Sequence, residues 1–204
     1  MLSKDEFRKL CEDVFSFHTK RAPGLAIGVA MVDYAREALG PIKGKMNAIS
    51  ETQACLSDVI QVMTGCTIGN RYLRVLKNLG RYALTLFDRE DGHGVRVSCN
   101  VSRIDQQATP ELYNFFHRSR GEDAQSGGPA RELSGQQIIQ EFETVGRSLF
   151  DVQRVTVINH GKPAMLPAKI CKECGESFLS RDEKHVLCDF CSGIEAYFQE
   201  HPNH

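Results

Sequence analysis

Helical periodicity over residues 4–63, alternating apolar residues between 82 and 101, and two Cys-x-x-Cys pairs near the C-terminus predict an α+β domain followed by a small metal-stabilised module. Helices come first, a hairpin next, then further helix and strand. That order describes α+β architecture and not the regular alternation of a doubly wound sheet. At 204 residues the chain is long enough for one domain and an appendage. The boundary is expected in the Gly- and Pro-punctuated stretch around 161–167, giving a core of residues 1–165 and a tail of residues 166–204.

The elements follow in order. Ser3 and Glu6 form a capping-box pattern, and Phe7, Leu10, Cys11, Val14 and His18 recur at helical spacing, so a helix is predicted over 4–17 with His18 at its end. After Pro23-Gly24 a second helix runs over 25–39 and stops at Gly40-Pro41. Its early turns carry Gly24, Ala26, Gly28 and Ala30, a surface that admits close approach by another backbone. A third helix is expected over 49–63, ending at Thr64-Gly65, and a short fourth over 70–78. Residues 82–87 and 94–101 then read as a β-hairpin, with Val95, Val97, Cys99 and Val101 on one face and a pairing of Asp88 with Arg96 across it. His93 falls in the turn and is expected to be exposed. A helix over 110–118 precedes a Gly-, Ser- and Pro-rich loop over 121–131. Ser134 and Gln137 suggest a further cap, with Ile138, Ile139 and Phe142 on the buried face, and Val152, Val155 and Val157 mark a last core strand.

Composition excludes several classes. Hydrophobic content of 41%, charge of 25% and a net charge of −1 are those of an ordinary globular chain with no global attraction to polyanions. No apolar run reaches the ~18–20 residues of a membrane span, and the N-terminus lacks the layout of a secretory signal, so a cytoplasmic location and no membrane partner are expected. In such a compartment Cys11 and Cys99, on apolar stripes, are expected to be packing thiols. A Gly-rich phosphate loop and a Ser/His/Asp constellation are both absent, and no catalytic residue is assigned.

The tail carries the sharpest signal. Cys171-Lys-Glu-Cys174 and Cys188-Asp-Phe-Cys191 are separated by thirteen residues, and two such pairs can grip a tetrahedral Zn²⁺ from opposite sides. Gly175 permits a sharp turn after the first pair, residues 177–187 can form a hairpin, and Phe190, Ile194, Tyr197 and Phe198 follow the second pair at helical spacing. A knuckle, a hairpin and a helix bearing the second pair describe a treble-clef zinc finger. A thioredoxin-like redox module would need its own βαβ unit, for which the segment is too short. Residues 168–204 hold four Lys/Arg against seven Asp/Glu, so binding of nucleic acid is not expected of this finger.

Three core segments stand together: Phe17-His18-Thr-Lys-Arg-Ala-Pro23-Gly24, then Cys55-Leu-Ser-Asp58-Val-Ile-Gln61-Val-Met-Thr64-Gly65-Cys66-Thr67, then Leu86-Phe87-Asp88-Arg89 through Gly94-Val-Arg96-Val97. This pattern resembles the FmdE-like proteins, a family named for a component of formylmethanofuran dehydrogenase, closely over residues 10–100 and again at the finger. The resemblance implies an FmdE-like α+β core domain with an auxiliary C-terminal treble-clef zinc finger, a homodimer, and an associated metal site. It also implies a link to the molybdenum or tungsten enzyme that reduces CO₂ onto methanofuran in methanogens, within which FmdE is not the redox-catalytic component. Where the family pattern reads Phe-His-Gly-His-x-Cys-Pro-Gly, this chain has Lys20 for the second His and Ala22 for the Cys.

His18, Cys55 and Cys66 remain as core metal candidates, with Asp58 near them in sequence. On one unbroken helix Cys55 and Cys66 would lie about 16 Å apart, too far to share an ion whose ligands sit at ~2.0–2.3 Å. Gly65 must end the helix, or only one Cys joins His18. The expectation is therefore one structural Zn²⁺ at Cys171, Cys174, Cys188 and Cys191, a second metal in the core, and an accessory role that binds a small molecule or joins a larger enzyme complex. The rival is a stand-alone small-molecule metalloenzyme using His18 and Cys55. A nucleic-acid-binding regulator is a third reading, which the acidic finger disfavours.

Overall fold

The computed structural model describes residues 2–162 and 164–199. The chain divides into two compact units, Met1–Gly161 and Lys162–His204. Helix α1 (Lys4–His18) opens on the expected capping box: the Ser3 side chain accepts from the Glu6 N–H while Glu6 accepts from the Ser3 N–H. Helix α2 (Pro23–Leu39) has Pro23 at its first position, where a missing N–H costs nothing. It is the central helix, with Leu25, Ile27, Val29, Met31 and Val32 at 0% exposure. It packs on the sheet and touches α1.

The sheet has five strands in the order β2-β1-β3-β4-β5. These are β1 (Met46–Ser50), β2 (Leu73–Val75), β3 (Ala83–Asp88), β4 (His93–Cys99) and β5 (Phe150–Thr156). Only β1 and β2 run parallel; β1–β3, β3–β4 and β4–β5 are antiparallel. The hairpin reading of 82–101 is realised as β3 and β4, with Leu86 opposite Val95 and Leu84 opposite Val97. Ala48, Leu84, Leu86, Val95 and Val97 join the main core. Ile49, Phe87 and Val157 form a second, smaller cluster.

Several expected elements differ. Ile49 lies in strand β1, not in a helix, and the third helix, α3, spans Leu56–Thr64. The four residues from Asn47 to Ser50 are all buried, so the strand shows no alternation to separate it from a helical run. The expected fourth helix over 70–78 is instead β2, held by the Leu76 N–H donating to the Ser50 carbonyl at 2.8 Å. Helix α4 (Pro110–His117) forms as expected. The Gly-rich stretch 121–131 is not a loop: it contains α5 (Glu122–Ser126) and the start of α6 (Gly128–Val145), again with Pro in the first turn. Ser134 is therefore no cap but a buried residue of α6, donating to Glu111 and accepting from Arg120 Nε. Ile138 and Phe142 are buried as expected.

Strand β5 is an edge, and Val152 stays 36% exposed. Arg96 does not pair with Asp88. Its guanidinium grips the buried carboxylate of Glu51 by Nε at 2.6 Å and by Nη2 at 3.0 Å, and Arg81 reaches the same group at 2.7 Å. Asp88 instead accepts from the backbone N–H groups of Lys43, Gly44 and Glu90, which hold its carboxyl below the usual range, Glu90 most.

The second unit carries a two-stranded sheet, β6 (Ala168–Ile170) against β7 (Ser177–Leu179). This hairpin encloses the first Cys pair; the one expected over 177–187 does not form. After Cys188 the chain makes turns, with Ser192 N–H on the Cys188 carbonyl at 3.0 Å, where a helix was expected. Among the described residues no helix is long and apolar enough to cross a membrane.

Candidate metal centres in the tail and the core

The four tail thiols converge. One sulfur from each of Cys171, Cys174, Cys188 and Cys191 lies within 4.8 Å of the others, and Cys174 Sγ is 3.9 Å from Cys188 Sγ. Sulfurs ~2.3 Å from a tetrahedral ion sit a little under 4 Å apart, so the quartet fits one metal. The backbone shapes it for anions. Gly175 takes a left-handed φ of 77° and its N–H returns to the Cys171 carbonyl at 3.0 Å. The Cys188 N–H donates to Cys171 Sγ at 3.4 Å, and the Cys191 N–H to Cys188 Sγ at 3.4 Å. The Cys188 N–H and then the Cys174 N–H pull the Cys171 thiol down to about 6. Cys191 is pushed up, first by its contact with Cys188, because four clustered sulfurs resist carrying four charges without a cation. Lys169 Nζ ties the carbonyls of Asp182 and Glu183, each at 2.8 Å, and so orders the loop between the pairs.

The core brings His18, Cys55 and Asp58 together from two helices. His18 is the last residue of α1, Cys55 is the N-cap of α3, and Asp58 sits one turn into α3. His18 Nδ1 lies 2.6 Å from Asp58 Oδ2, and His18 Nε2 lies 4.0 Å from Cys55 Sγ. Burial pushes the Cys55 thiol up, and the charge of Asp58 adds to the effect.

The small residues of α2 make this approach possible. A Cβ on Gly28 would fall 2.9 Å from Val59 Cγ2, and one on Gly24 would fall 3.1 Å from the Tyr82 hydroxyl and 3.4 Å from Cys55 Sγ. Tyr82 donates its buried hydroxyl to the Gly24 carbonyl and so forms part of the wall behind Cys55.

Cys66 takes a different course. Gly65 ends α3 with a left-handed φ of 70°, and the Cys66 thiol, 1% exposed, donates to the Met46 carbonyl at 3.3 Å. Cys11 is buried, which pushes its thiol up to about 12, and Cys99 contacts Met31 Sδ at 3.8 Å; both are packing thiols. His93 is exposed at the start of β4. Two site residues were not singled out from sequence. Gln61 carried a readable signal, because it lies three residues beyond Asp58 on the same stripe of α3. Tyr82 carried none, since only the fold brings its strand to α2.

An α+β core with a Cys₄ cluster of zinc-finger form defines a two-part metal-binding class of protein. The family model described as "FmdE, Molybdenum formylmethanofuran dehydrogenase operon" matches residues 17–152, and the chain belongs to this family. A crystal structure of an FmdE-like protein of tungsten formylmethanofuran dehydrogenase type, from Syntrophus aciditrophicus, matches with a TM-score of 0.75 at 29% identity, over 94% of this chain and 95% of that one. A protein of Archaeoglobus fulgidus described as a probable S-adenosyl-L-methionine-binding protein is 33% identical over 190 residues, which is 87% of this chain. The chain spans 50% of that curated relative's length.

Proposed function

We propose that this FmdE-like protein is a non-redox accessory protein whose core presents a metal ion to a small molecule, and whose tail is a structural zinc finger. The observation that supports it most directly is the 4.0 Å between His18 Nε2 and Cys55 Sγ, with Nδ1 already engaged by Asp58. That gap is long for a direct S–H···N bond. An ion ~2.0–2.1 Å from nitrogen and ~2.3 Å from sulfur spans it, and a carboxylate on the far ring nitrogen is the usual outer support of a ligating imidazole. Two protein ligands leave coordination positions for a small molecule. Cys66 is not placed to supply a third, and Lys20 and Ala22 stand where the family pattern has His and Cys. The same open positions favour the second reading, a metalloenzyme in which the ion acts as a Lewis acid on a bound substrate.

The name of the Archaeoglobus relative makes S-adenosyl-L-methionine the first small molecule to titrate. The core is read as a homodimer, on the family resemblance. Metal analysis of the intact protein tests the reading: two equivalents per chain are expected, zinc in the tail, falling to one in Cys55→Ser and in His18→Ala. One equivalent in all three proteins overturns the core site.

A further inference from the structure

The Cys-x-x-Asp-x-x-Gln run places Cys55, Asp58 and Gln61 at successive three-residue steps on α3, and the third of these has no part in the metal reading. Its side chain makes two directed contacts. Gln61 Oε1 accepts from the Ile68 backbone N–H at 3.4 Å, and Gln61 Nε2 donates to Asp58 Oδ1 at 3.4 Å. A backbone N–H can only donate, which fixes the amide with its oxygen toward Ile68 and its NH₂ toward Asp58. A charged carboxylate only accepts, so Asp58 receives Gln61 on Oδ1 and must receive a proton-bearing nitrogen on Oδ2. The polarity of one backbone N–H is thus passed through two side chains to the imidazole.

We propose that Gln61 is a positioning residue that sets the tautomer of His18, holding its proton on Nδ1 and leaving the Nε2 lone pair toward Cys55. The inference rests on the core metal reading only for what that lone pair is used for; the tautomer stands by itself. The chain turns back at Gly65 so that Ile68 can close the relay. Thr64 Oγ1 accepts the Cys66 N–H at 3.0 Å, and Asn70 holds the Gly65 carbonyl at 2.8 Å. The Thr-Gly that ends the motif is therefore read as serving the site at second hand.

Nitrogen-15 NMR of the ring in metal-free, full-length protein, with the imidazole neutral, reads the tautomer directly. Wild type is expected to carry the proton on Nδ1. Gln61→Met, which keeps length and helix propensity but removes the amide, is expected to show both tautomers. Asp58→Asn is expected to invert the tautomer, because Gln61 would orient the new amide with its NH₂ toward His18. Core affinity for Zn²⁺ alone is expected to fall about 10–100-fold in Gln61→Met, with the tail equivalent retained. A wild-type proton on Nε2 overturns the proposal whether or not either variant folds. So does an unchanged tautomer in Gln61→Met. Tautomers that move as stated in a protein binding only one metal equivalent uphold this inference while removing the core metal.

Discussion

The core and the tail are stabilised by opposite means. In Met1–Gly161 the residues of α2, β3 and β4 bury a continuous apolar interior, with ten large side chains from Leu25 to Leu149 under 2% exposed. Lys162–His204 has no such interior: Ile170, Leu179 and Ile194 are 64%, 54% and 63% exposed, and the tail's buried residues are Cys171 and Ser180 among those described. A segment of that size cannot offset its chain entropy by burial. The same residue type accordingly has different work in the two units: Cys11 and Cys99 pack, while the four tail thiols gather around one point.

Removing the tail's metal is the strongest way to break the comparison. Chelation, or Cys171→Ser, is expected to unfold residues 168–199 alone, since structural zinc contributes about 10–16 kcal/mol to such modules. Amide exchange then shows β6 and β7 unprotected and β3 and β4 unchanged; a tail that stays protected without metal would refute its dependence. The core is tested next by Glu51→Ala, which leaves Arg96 without its buried partner and is expected to cost about 3–5 kcal/mol in denaturant unfolding. Burial pushes the Glu51 carboxyl up, but Arg96 and Arg81 outweigh it and hold it below its ordinary value. Its contribution is therefore complete above the unfolded value of about 4.3 and lost as pH falls through the lower folded one. Glu51→Gln should flatten that acid limb. The smallest effect is Gly28→Ala, which forces a methyl against Val59 and is expected to cost about 1–3 kcal/mol, lowering the core's midpoint and leaving the tail alone.

What was legible in sequence divides along the same line. The tail quartet could be read outright because ligand spacing is a local property of the chain. Helices α1 and α2 and the β3–β4 hairpin were legible from caps, period and turn residues. Strands β1 and β2 were not, because β1 is buried on both faces and β2 is three residues long. The Gly-rich stretch before α6 looked like loop because Gly and Pro mark helix starts as well as breaks. In the site, His18 and Cys55 could be named, but the exclusion of Cys66 depended on where Gly65 sends the chain, and the pairing of Glu51 with Arg96 on tertiary contact alone.

The stretch between β1 and α3 has a consequence for motion. Ser50 and Ser57 both donate to the Thr52 carbonyl, at 2.7 and 3.0 Å, and Glu51 beside them is clamped by two arginines. Cys55 thus hangs from a fixed bracket. His18 sits at a helix end, followed by Thr19 at a left-handed φ of 64° and by exposed Lys20 and Arg21. Of the two side chains that face each other, one is stationary and the other is on a swing arm. Closing their gap around a guest is therefore work for residues 18–21, and the ordering entropy of that closure falls on the segment where this chain departs from its family.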